Sequence, residues 1–400
     1  MKILDHTRFS TPETTFGPIL ITTSLGMTEG FSAILLPQLN ATSLHIDEEM
    51  SSWIASMAAL PMALGCILGG ILMEKIGRKG YTYAYLCALC VWDGWILCGA
   101  SGASDGGVYM SETSEPKYRG FLLAAISFAI ALGLFLSHLI GTFISWQNTA
   151  LACCSFPHHL HHLHDFRSRI AHMKKRKNFL EIIKDLQKPE FTKPLVIIVI
   201  FFITCQWAGL NAITFYSVSI IQLTLGGTFD EYLAMLIIDT IRVFMSIFAC
   251  ILLKKLGRRP LAIISGTGTF VSLFILSSFT FAVKFYPGIS AYTFVPLISL
   301  ITYVAFITVG FVPLPWTMMG EVFPLANRGM GSGISALSAY VAFFSVVKTT
   351  PSMFGRFGPE GSFFIYGMLA LVGTIILILF LPETKDKPLY QIEDNFKRKK

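Results

Sequence analysis

Two amide side chains lie in a stretch of this sequence that is otherwise apolar, the run CQWAGLNAITFY from Cys205 to Tyr216. Gln206 and Asn211 each carry hydrogen-bond donors and an acceptor, and an amide without a partner in hydrocarbon costs several kcal/mol. Gly209 lies between them and would let a helix open locally. The two amides are therefore candidates for binding a polar ligand, and the alternative is that they only join neighbouring helices.

A second candidate is the run VPLPW from Val312 to Trp316. Proline lacks a backbone N–H and disrupts the preceding helical turn, so two prolines predict a helix break inside this apolar segment. Trp316 directly follows the break and would be placed to close over a ligand. The alternative is a tryptophan that anchors a helix end at the membrane surface.

Charged residues inside apolar runs form a third group, because such residues are costly in a membrane and are usually functional. The group contains Glu29, Asp93 and Asp239, and Asp239 lies three residues before Arg242. At that spacing Asp239 and Arg242 share one face of a helix, and the simplest expectation is that they pair with each other.

A histidine tract is a candidate metal site because residues three and four positions apart share a helix face. It consists of His158, His159, His161, His162 and His164. Only Asp165 offers a further ligand at matching spacing, so we predict no metal and no cofactor. The sequence contains no nucleotide-binding loop, GxSxG elbow or HExxH motif, so we expect neither an enzyme nor an ATP-driven pump.

The elements that must position these residues are membrane helices. The chain of 400 residues is 53% hydrophobic and 14% charged, with a mean hydropathy of +0.62, whereas a soluble protein is about 25% charged. Basic residues lie in alternate loops and in the tail, which places both termini in the cytosol. This distribution of the net charge of +7 indicates that the chain's partner is the lipid bilayer and not nucleic acid. Asn40 begins a glycosylation sequon on the predicted outer side. The eight cysteines predict no disulfide framework.

Apolar runs predict four clear helices and two short ones in the first half, and six clear helices in the second. We divide the chain into a cytosolic N-terminus (1–15), an N-terminal transmembrane half (16–157), a cytosolic His-rich and basic linker (158–193), a C-terminal transmembrane half (194–382) and a cytosolic tail (383–400). The predicted helices are Phe16–Leu39, Ser51–Met73, Tyr81–Ala100, a short one in Ser101–Glu115, Gly120–Ile144, a short one in Asn148–Pro157, Pro194–Leu225, Tyr232–Leu253, Leu261–Phe285, Tyr292–Met319, Gly331–Thr349 and Ser362–Leu381.

A charged turn that occurs once in each half indicates internal duplication. The first copy is GGILMEKIGRK from Gly69 to Lys79, and the second is LLKKLGRRP from Leu252 to Pro260. In each copy a glycine supplies a tight turn, and it is followed by two cations that cannot enter hydrocarbon.

These turns and three further motifs resemble the sugar porters of the major facilitator superfamily, especially the branch of facilitative glucose transporters that includes insect trehalose transporters. The GGxxxDxxGRR loop of that family matches the first turn with Glu74 in place of aspartate. The other matches are Leu256–Arg259, the turn formed by Glu112 or Glu115 with Pro116, Arg119 and Gly120, the stretch Gly320–Gly329, and the PETK sequence Pro382–Lys385.

The resemblance implies an all-α polytopic membrane protein with the major facilitator fold, made of two six-helix halves with 10–12 transmembrane helices. It implies facilitative uniport of a sugar, trehalose or a hexose, by alternating access across the plasma membrane. The implied substrate-binding residues are Gln206, Asn211, Trp316 and Tyr216, with Cys205 and Ser127 at positions where the family has glutamine. The implied gating residues are Glu74, Arg78, Lys79, Glu112, Arg119, Arg258, Arg259, Glu321 and Arg328, which we expect to pair across the two halves.

The sequence departs from the family in the first half, where an arginine-containing part of the fourth helix and the PESPRWL stretch after the sixth are missing. Helices 4 and 6 are correspondingly short, which indicates internal deletions. A transport-inactive, truncated isoform with a regulatory or trapping role is therefore an alternative function. A second alternative is a proton-coupled sugar symporter with Glu29 as its proton site. Oligomeric state cannot be predicted.

Overall fold

A computed structural model describes residues 12–40, 47–57, 59–66, 116–161, 187–225, 230–286, 288, 292, 294–324, 327–387 and 389–396. The predicted third and fourth helices and the candidates Glu74, Arg78, Lys79, Asp93 and Glu112 lie outside the described residues. The described helices are α1 (Pro12–Asn40), α2 (Glu48–Ser56), α3 (Pro116–Phe143), α4 (Trp146–His161), α5 (Pro189–Trp207), α6 (Leu210–Phe215), α7 (Ser217–Leu225), α8 (Glu231–Lys255), α9 (Arg258–Phe285), α10 (Phe294–Val309), α11 (Pro313–Val322), α12 (Arg328–Phe380) and α13 (Leu389–Phe396).

In the first half, α1 and α3 pack side by side and run in the same direction. The Gln38 side chain joins their ends, because its Nε2 donates to the Gly141 carbonyl at 3.1 Å and its Oε1 accepts from the Trp146 amide at 2.7 Å. Helix α4 has 16 residues, or about 24 Å, which is less than the ~30 Å of a bilayer core. The predicted sixth helix is therefore short, although it continues through His161 and past the predicted boundary at residue 157.

The described part of the second half contains the six predicted helical segments. Helix α8 begins at its N-cap Asp230, whose carboxylate accepts from the Leu233 amide at 2.8 Å. The last two predicted helices form one element of 53 residues, α12, which kinks at Gly358 (φ 69°) just before Pro359. A straight helix of that length would be about 80 Å long, so the kink divides α12 into two arms that can each span a bilayer.

Two of the predicted apolar runs are broken helices. The run from Pro194 to Leu225 is divided into α5, α6 and α7, and the run from Tyr292 to Met319 is divided into α10 and α11. Across the described residues, six helical segments are long and apolar enough to cross a membrane. The predicted polytopic, all-helical architecture is confirmed in this part of the chain.

The two halves contact each other through α3 and α8, through α2 and α12, and through α1 with α6 and α7. We call the end of the bundle that holds Asn40, Phe143 and Asp230 the predicted outer end. The end that holds Lys255, Glu321 and Phe380 is the predicted cytosolic end. Between these ends lie both helix breaks, and they position the candidate site.

Candidate functional site

The break between α5 and α6 is fixed by two tyrosines. Gly209 has the left-handed conformation (φ 87°), which only glycine adopts without steric cost. A Cβ atom at this position would lie 2.8 Å from the ring of Tyr366. The carbonyl of Ala208 is released from the helix and instead accepts from the Tyr303 hydroxyl at 2.8 Å. The opening therefore exposes no unsatisfied carbonyl at Ala208.

The two predicted amides meet across this break. Asn211 Nδ2 donates to Gln206 Oε1 at 2.5 Å, and both side chains are half-buried. Among the described residues, the Gln206 N–H groups and the Asn211 carbonyl oxygen make no further hydrogen bond. The pair thus presents free donors and a free acceptor to a ligand.

Trp316, the predicted aromatic residue of the site, packs on the helix that carries Gln206. Its ring packs edge-on against Phe202 with centroids 4.8 Å apart, and Phe202 lies one helical turn before Gln206 on α5. Tyr340 of α12 flanks the same indole at 6.2 Å. Trp316 is half-buried, so part of its surface remains available for contact.

The remaining predicted binding residues are placed differently. Tyr216 is buried and gives its hydroxyl hydrogen to the Val347 carbonyl at 3.2 Å, so it joins α6 to α12. Cys205 is buried in the apolar core. Ser127 is buried on α3, a helix that packs against α11, and its hydroxyl has no hydrogen-bond partner among the described residues. The structure therefore groups Gln206, Asn211 and Trp316, and it gives Tyr216 a packing role.

A buried ion pair lies at the predicted cytosolic end. Arg258 at the start of α9 donates through Nη2 to Glu321 Oε1 at 2.6 Å and through Nε to Oε2 at 3.3 Å. Thr384 donates to the same carboxylate at 2.6 Å. The two charged side chains are 4% and 3% exposed, so each is satisfied almost entirely by the other and by neighbouring polar groups.

The expected pairing of these residues across the two halves was wrong, because both members of the pair belong to the second half. Arg258 nevertheless contacts the first half, since a Cβ atom at Gly120 of α3 would lie 2.8 Å from Nη2. Gly120 thus lets the guanidinium group approach the backbone of α3 closely. Two other predicted gating arginines donate to nearby carbonyls, Arg328 to Phe323 and Arg259 to Ile378. The Arg119 side chain lies outside the described residues.

Glu383 belongs to the PETK stretch, and no role for it is predicted from the sequence. Its carboxylate accepts from the backbone amides of Arg258 at 2.9 Å, Arg259 at 3.2 Å and Lys385 at 3.0 Å. Two of these amides begin α9, where a helix attracts anions. Partial burial opposes ionisation, but these hydrogen bonds and the Arg258 charge outweigh it and lower the pKa of Glu383.

His138 is a polar residue that was not predicted from the sequence, and the predicted partner of Asp239 was wrong. Asp239 contacts His138 of α3 at 2.5 Å and makes no ion pair with Arg242 among the described residues. The reason is that α8 packs directly against α3, so Asp239 has a partner on another helix. The sequence signal that could have identified His138 is the presence of a histidine in the apolar run from Gly120 to Ile144.

Comparison with known proteins gives the same architecture and a family. The family model described as "Sugar (and other) transporter" matches residues 162–396, more than half of the chain. The chain belongs to this family. The predicted relationship to sugar porters is therefore confirmed, and the match lies in the linker and the second half.

Relatives with curated names include facilitated trehalose transporters of insects. The protein from Culex quinquefasciatus is 28% identical over 98% of this chain and 89% of the relative. The Bombyx mori protein is 27% identical over 92% and 83%. The Aedes aegypti protein is 28% identical over 93% of this chain, which spans about half (54%) of the length of that relative.

Solved structures with the same fold include the proton:xylose symporter XylE bound to a glucose derivative, with a TM-score of 0.76 and 20% identity over 96% of this chain and 99% of the other. The inward-open form of XylE from E. coli gives 0.70 and 22% over 95% and 98%. These similarities establish the major facilitator fold predicted for this family member.

Replacement of Gly209 by alanine should destabilise the helix break. A left-handed conformation costs a non-glycine residue about 1–2 kcal/mol, and the added methyl group would also press on Tyr366. We expect a lower thermal midpoint for the detergent-purified variant than for the wild type. Gly355→Ala is the control, because that glycine lies in a helix and an added Cβ atom there would come no closer than 4.0 Å to its nearest neighbour, Glu48 Oε2. An equal midpoint for Gly209→Ala and wild type would contradict the described break.

Replacement of Glu321 by glutamine should leave the buried Arg258 charge uncompensated, at a cost of about 3–5 kcal/mol. Glu360→Gln is the matched control, since its partner Lys284 is 57% exposed and such a pair contributes about 0–1 kcal/mol. Thermal unfolding of both purified variants should show a much larger fall for Glu321→Gln. Similar midpoints for the two variants would argue against a buried pair.

The lowered pKa of Glu383 predicts a pH-dependent contribution to stability. Its ionised form is favoured in the folded state, so the contribution is fully present above the unfolded pKa of about 4.3 and is lost as pH falls through the lower folded value. Glu383→Gln should therefore melt below the wild type at pH 7, and the two curves should converge in acid below about pH 4. A difference in melting temperature between the variant and the wild type that grows as the pH falls would contradict the prediction.

Proposed function

We propose that this family member is a facilitative carrier that moves a sugar, trehalose or a hexose, by alternating access around the break between α5 and α6. The single observation that carries the proposal is the amide pair Gln206–Asn211, half-buried and incompletely hydrogen-bonded inside an apolar bundle. Such groups are expensive in a membrane unless a ligand or water completes their hydrogen bonds.

The chemistry of these groups suits a polyhydroxylated ligand. The free N–H groups of Gln206 can donate to sugar hydroxyl oxygens, and the carbonyl oxygen of Asn211 can accept from a hydroxyl hydrogen. The half-buried indole of Trp316 offers an apolar face for the C–H surface of a sugar ring. Polar groups for orientation and an aromatic surface for contact are the usual composition of a small-molecule site.

Alternating access requires contacts that close one end of the site and can be released. The Arg258–Glu321 pair suits this role at the predicted cytosolic end, since it is held within the second half while its guanidinium group packs on Gly120 of the first. If the two halves separated at this end, the packing of Arg258 on Gly120 would be lost, but the Arg258–Glu321 ion pair would remain. The two broken helices supply local hinges beside the site.

The substrate assignment rests on the family and on the relatives named facilitated trehalose transporters. The same comparison supports a multi-pass membrane protein. The plasma membrane and cytosolic termini are our proposal from the charge of the loops. XylE, which has the same fold, is a proton:xylose symporter, and proton-coupled sugar transport is the alternative mode for this chain.

A second candidate function is a transport-inactive membrane protein that regulates or traps longer partners. Two observations favour it. The family model begins to match only at residue 162, and the alignment with the Culex relative runs over 464 positions although this chain has 400 residues. At least 64 positions of the alignment therefore have no residue of this chain.

Uptake into proteoliposomes separates these functions. Purified 400-residue chain should exchange radiolabelled trehalose or glucose saturably with the same unlabelled sugar inside the vesicle. Gln206→Leu removes donors that a buried ligand would use, worth about 1–3 kcal/mol, so the uptake efficiency should fall roughly tenfold to hundredfold. Gln222→Leu is the matched control, because Gln222 is exposed on α7.

Saturable exchange that is lost in Gln206→Leu and kept in Gln222→Leu would support the carrier and its site. Folded, monodisperse protein that exchanges neither sugar would contradict the carrier and favour the inactive isoform. Equal loss in both variants would contradict the assignment of Gln206 to the site.

A further inference from the structure

A histidine and an aspartate are buried together where three helices from the two halves meet. His138 of α3 lies with Nδ1 2.5 Å from Asp239 Oδ2 of α8 and with Nε2 3.0 Å from the Gly30 carbonyl of α1. His138 is 0% exposed and Asp239 is 3% exposed. Both nitrogens of one imidazole ring are thus engaged, and they join the first half to the second.

The partners of the ring determine how many protons it holds. The Gly30 carbonyl can only accept, so Nε2 must carry a hydrogen. An ionised Asp239 also only accepts, and then Nδ1 must carry a hydrogen as well. If Nδ1 is bare, the hydrogen between it and Asp239 must come from a protonated carboxyl group. In either arrangement the pair holds one proton more than a neutral histidine beside an ionised aspartate.

Other charged and titratable groups lie around the pair. Arg242 lies one turn along α8 from Asp239, and its charge acts on Glu29 of α1 and on Tyr303 of α10. Cys153 of α4 lies beside the neighbouring Ser137. The pair itself is neutral when it holds the proton. Loss of the proton would leave one net negative charge on the pair in a buried site.

We propose that His138 and Asp239 form a proton-binding contact between the two halves, which holds the predicted outer end closed and releases its proton when that end opens. The inference rests on the alternating access proposed above, but it concerns the opening step and not the sugar. It assigns a function to a pair that the sugar site does not use.

The physical reason is a difference in solvation. In the closed contact, removal of the proton turns a hydrogen bond into an approach between a ring lone pair and a carboxylate, which disfavours contact between α3 and α8. Once the halves separate, water can solvate an ionised Asp239 and a neutral His138 independently. Opening therefore releases up to one proton, and the ratio of open to closed molecules should rise up to about tenfold per pH unit within the range where release occurs.

The experiment measures opening directly and needs no transport. Ketone-bearing amino acids replace Met50 at the start of α2 and Phe357 at the kink of α12, both of which are more than half exposed. Nitroxide labels on these ketones leave the native cysteines untouched. Distance distributions between the labels are recorded for the full chain in lipid nanodiscs, without sugar, from pH 5.5 to pH 9. We expect the long-distance population to increase with pH.

Asp239→Asn is the decisive variant. Its amide can donate to Nδ1 of a neutral His138 while Nε2 still donates to Gly30, so both hydrogen bonds remain but the shared proton is gone. The long-distance population should then change little with pH. Ser137→Ala is the matched control on the adjacent position and should keep the wild-type response. His138→Gln is a second non-titrating variant if Asp239→Asn does not fold.

A wild-type distribution that stays constant over this pH range would overturn the proposal. A non-titrating variant with the wild-type slope would also overturn it, because another group would then be responsible. Neither outcome depends on whether the chain transports sugar, so failure of this inference and failure of the carrier function can be distinguished.

Discussion

The structure depends on one constraint, which is that a polar group inside the bilayer must find a partner within the protein or its ligand. The break at Gly209 meets this constraint for the backbone, since Tyr303 donates to the released Ala208 carbonyl and the Tyr366 ring fills the space beside the glycine. The break does not meet this constraint for the side chains, because Gln206 and Asn211 satisfy each other's hydrogen bonds only in part. The unsatisfied remainder is the reason why we propose a binding site at this break and not simply a kink.

The same constraint explains where the buried charges lie. Arg258 and Glu321 neutralise each other at the predicted cytosolic end, and Glu383 completes the hydrogen bonds of the amides at the start of α9. Toward the predicted outer end, His138 and Asp239 contact each other between the two halves. The two ends therefore differ, because the buried ion pair at the predicted cytosolic end lies within one half, whereas the buried contact toward the predicted outer end joins the two halves.

Sequence patterns were sufficient for features that depend on neighbouring residues. Hydrophobic runs located the second-half helices, and Gly209 and the prolines of VPLPW indicated the two breaks. The amides in an apolar run indicated the candidate site, which stays a prediction. Patterns were insufficient where residues distant in the chain meet. Spacing along one helix suggested an Asp239–Arg242 pair, whereas the partner, His138, is 101 positions away. Arg258 and Glu321 are 63 positions apart, and the motifs alone could not show that these two residues pair with each other.

The central claim is that a sugar completes the hydrogen bonds of Gln206 and Asn211 beside Trp316. Equilibrium binding of tritiated trehalose and glucose to the purified chain tests it most directly, because binding needs neither a membrane gradient nor a complete transport cycle. The account predicts saturable binding of one of these sugars by the wild type and its loss when Asn211 is replaced by leucine. Undiminished binding by a variant in which Gln206, Asn211 and Trp316 are all replaced would contradict the account.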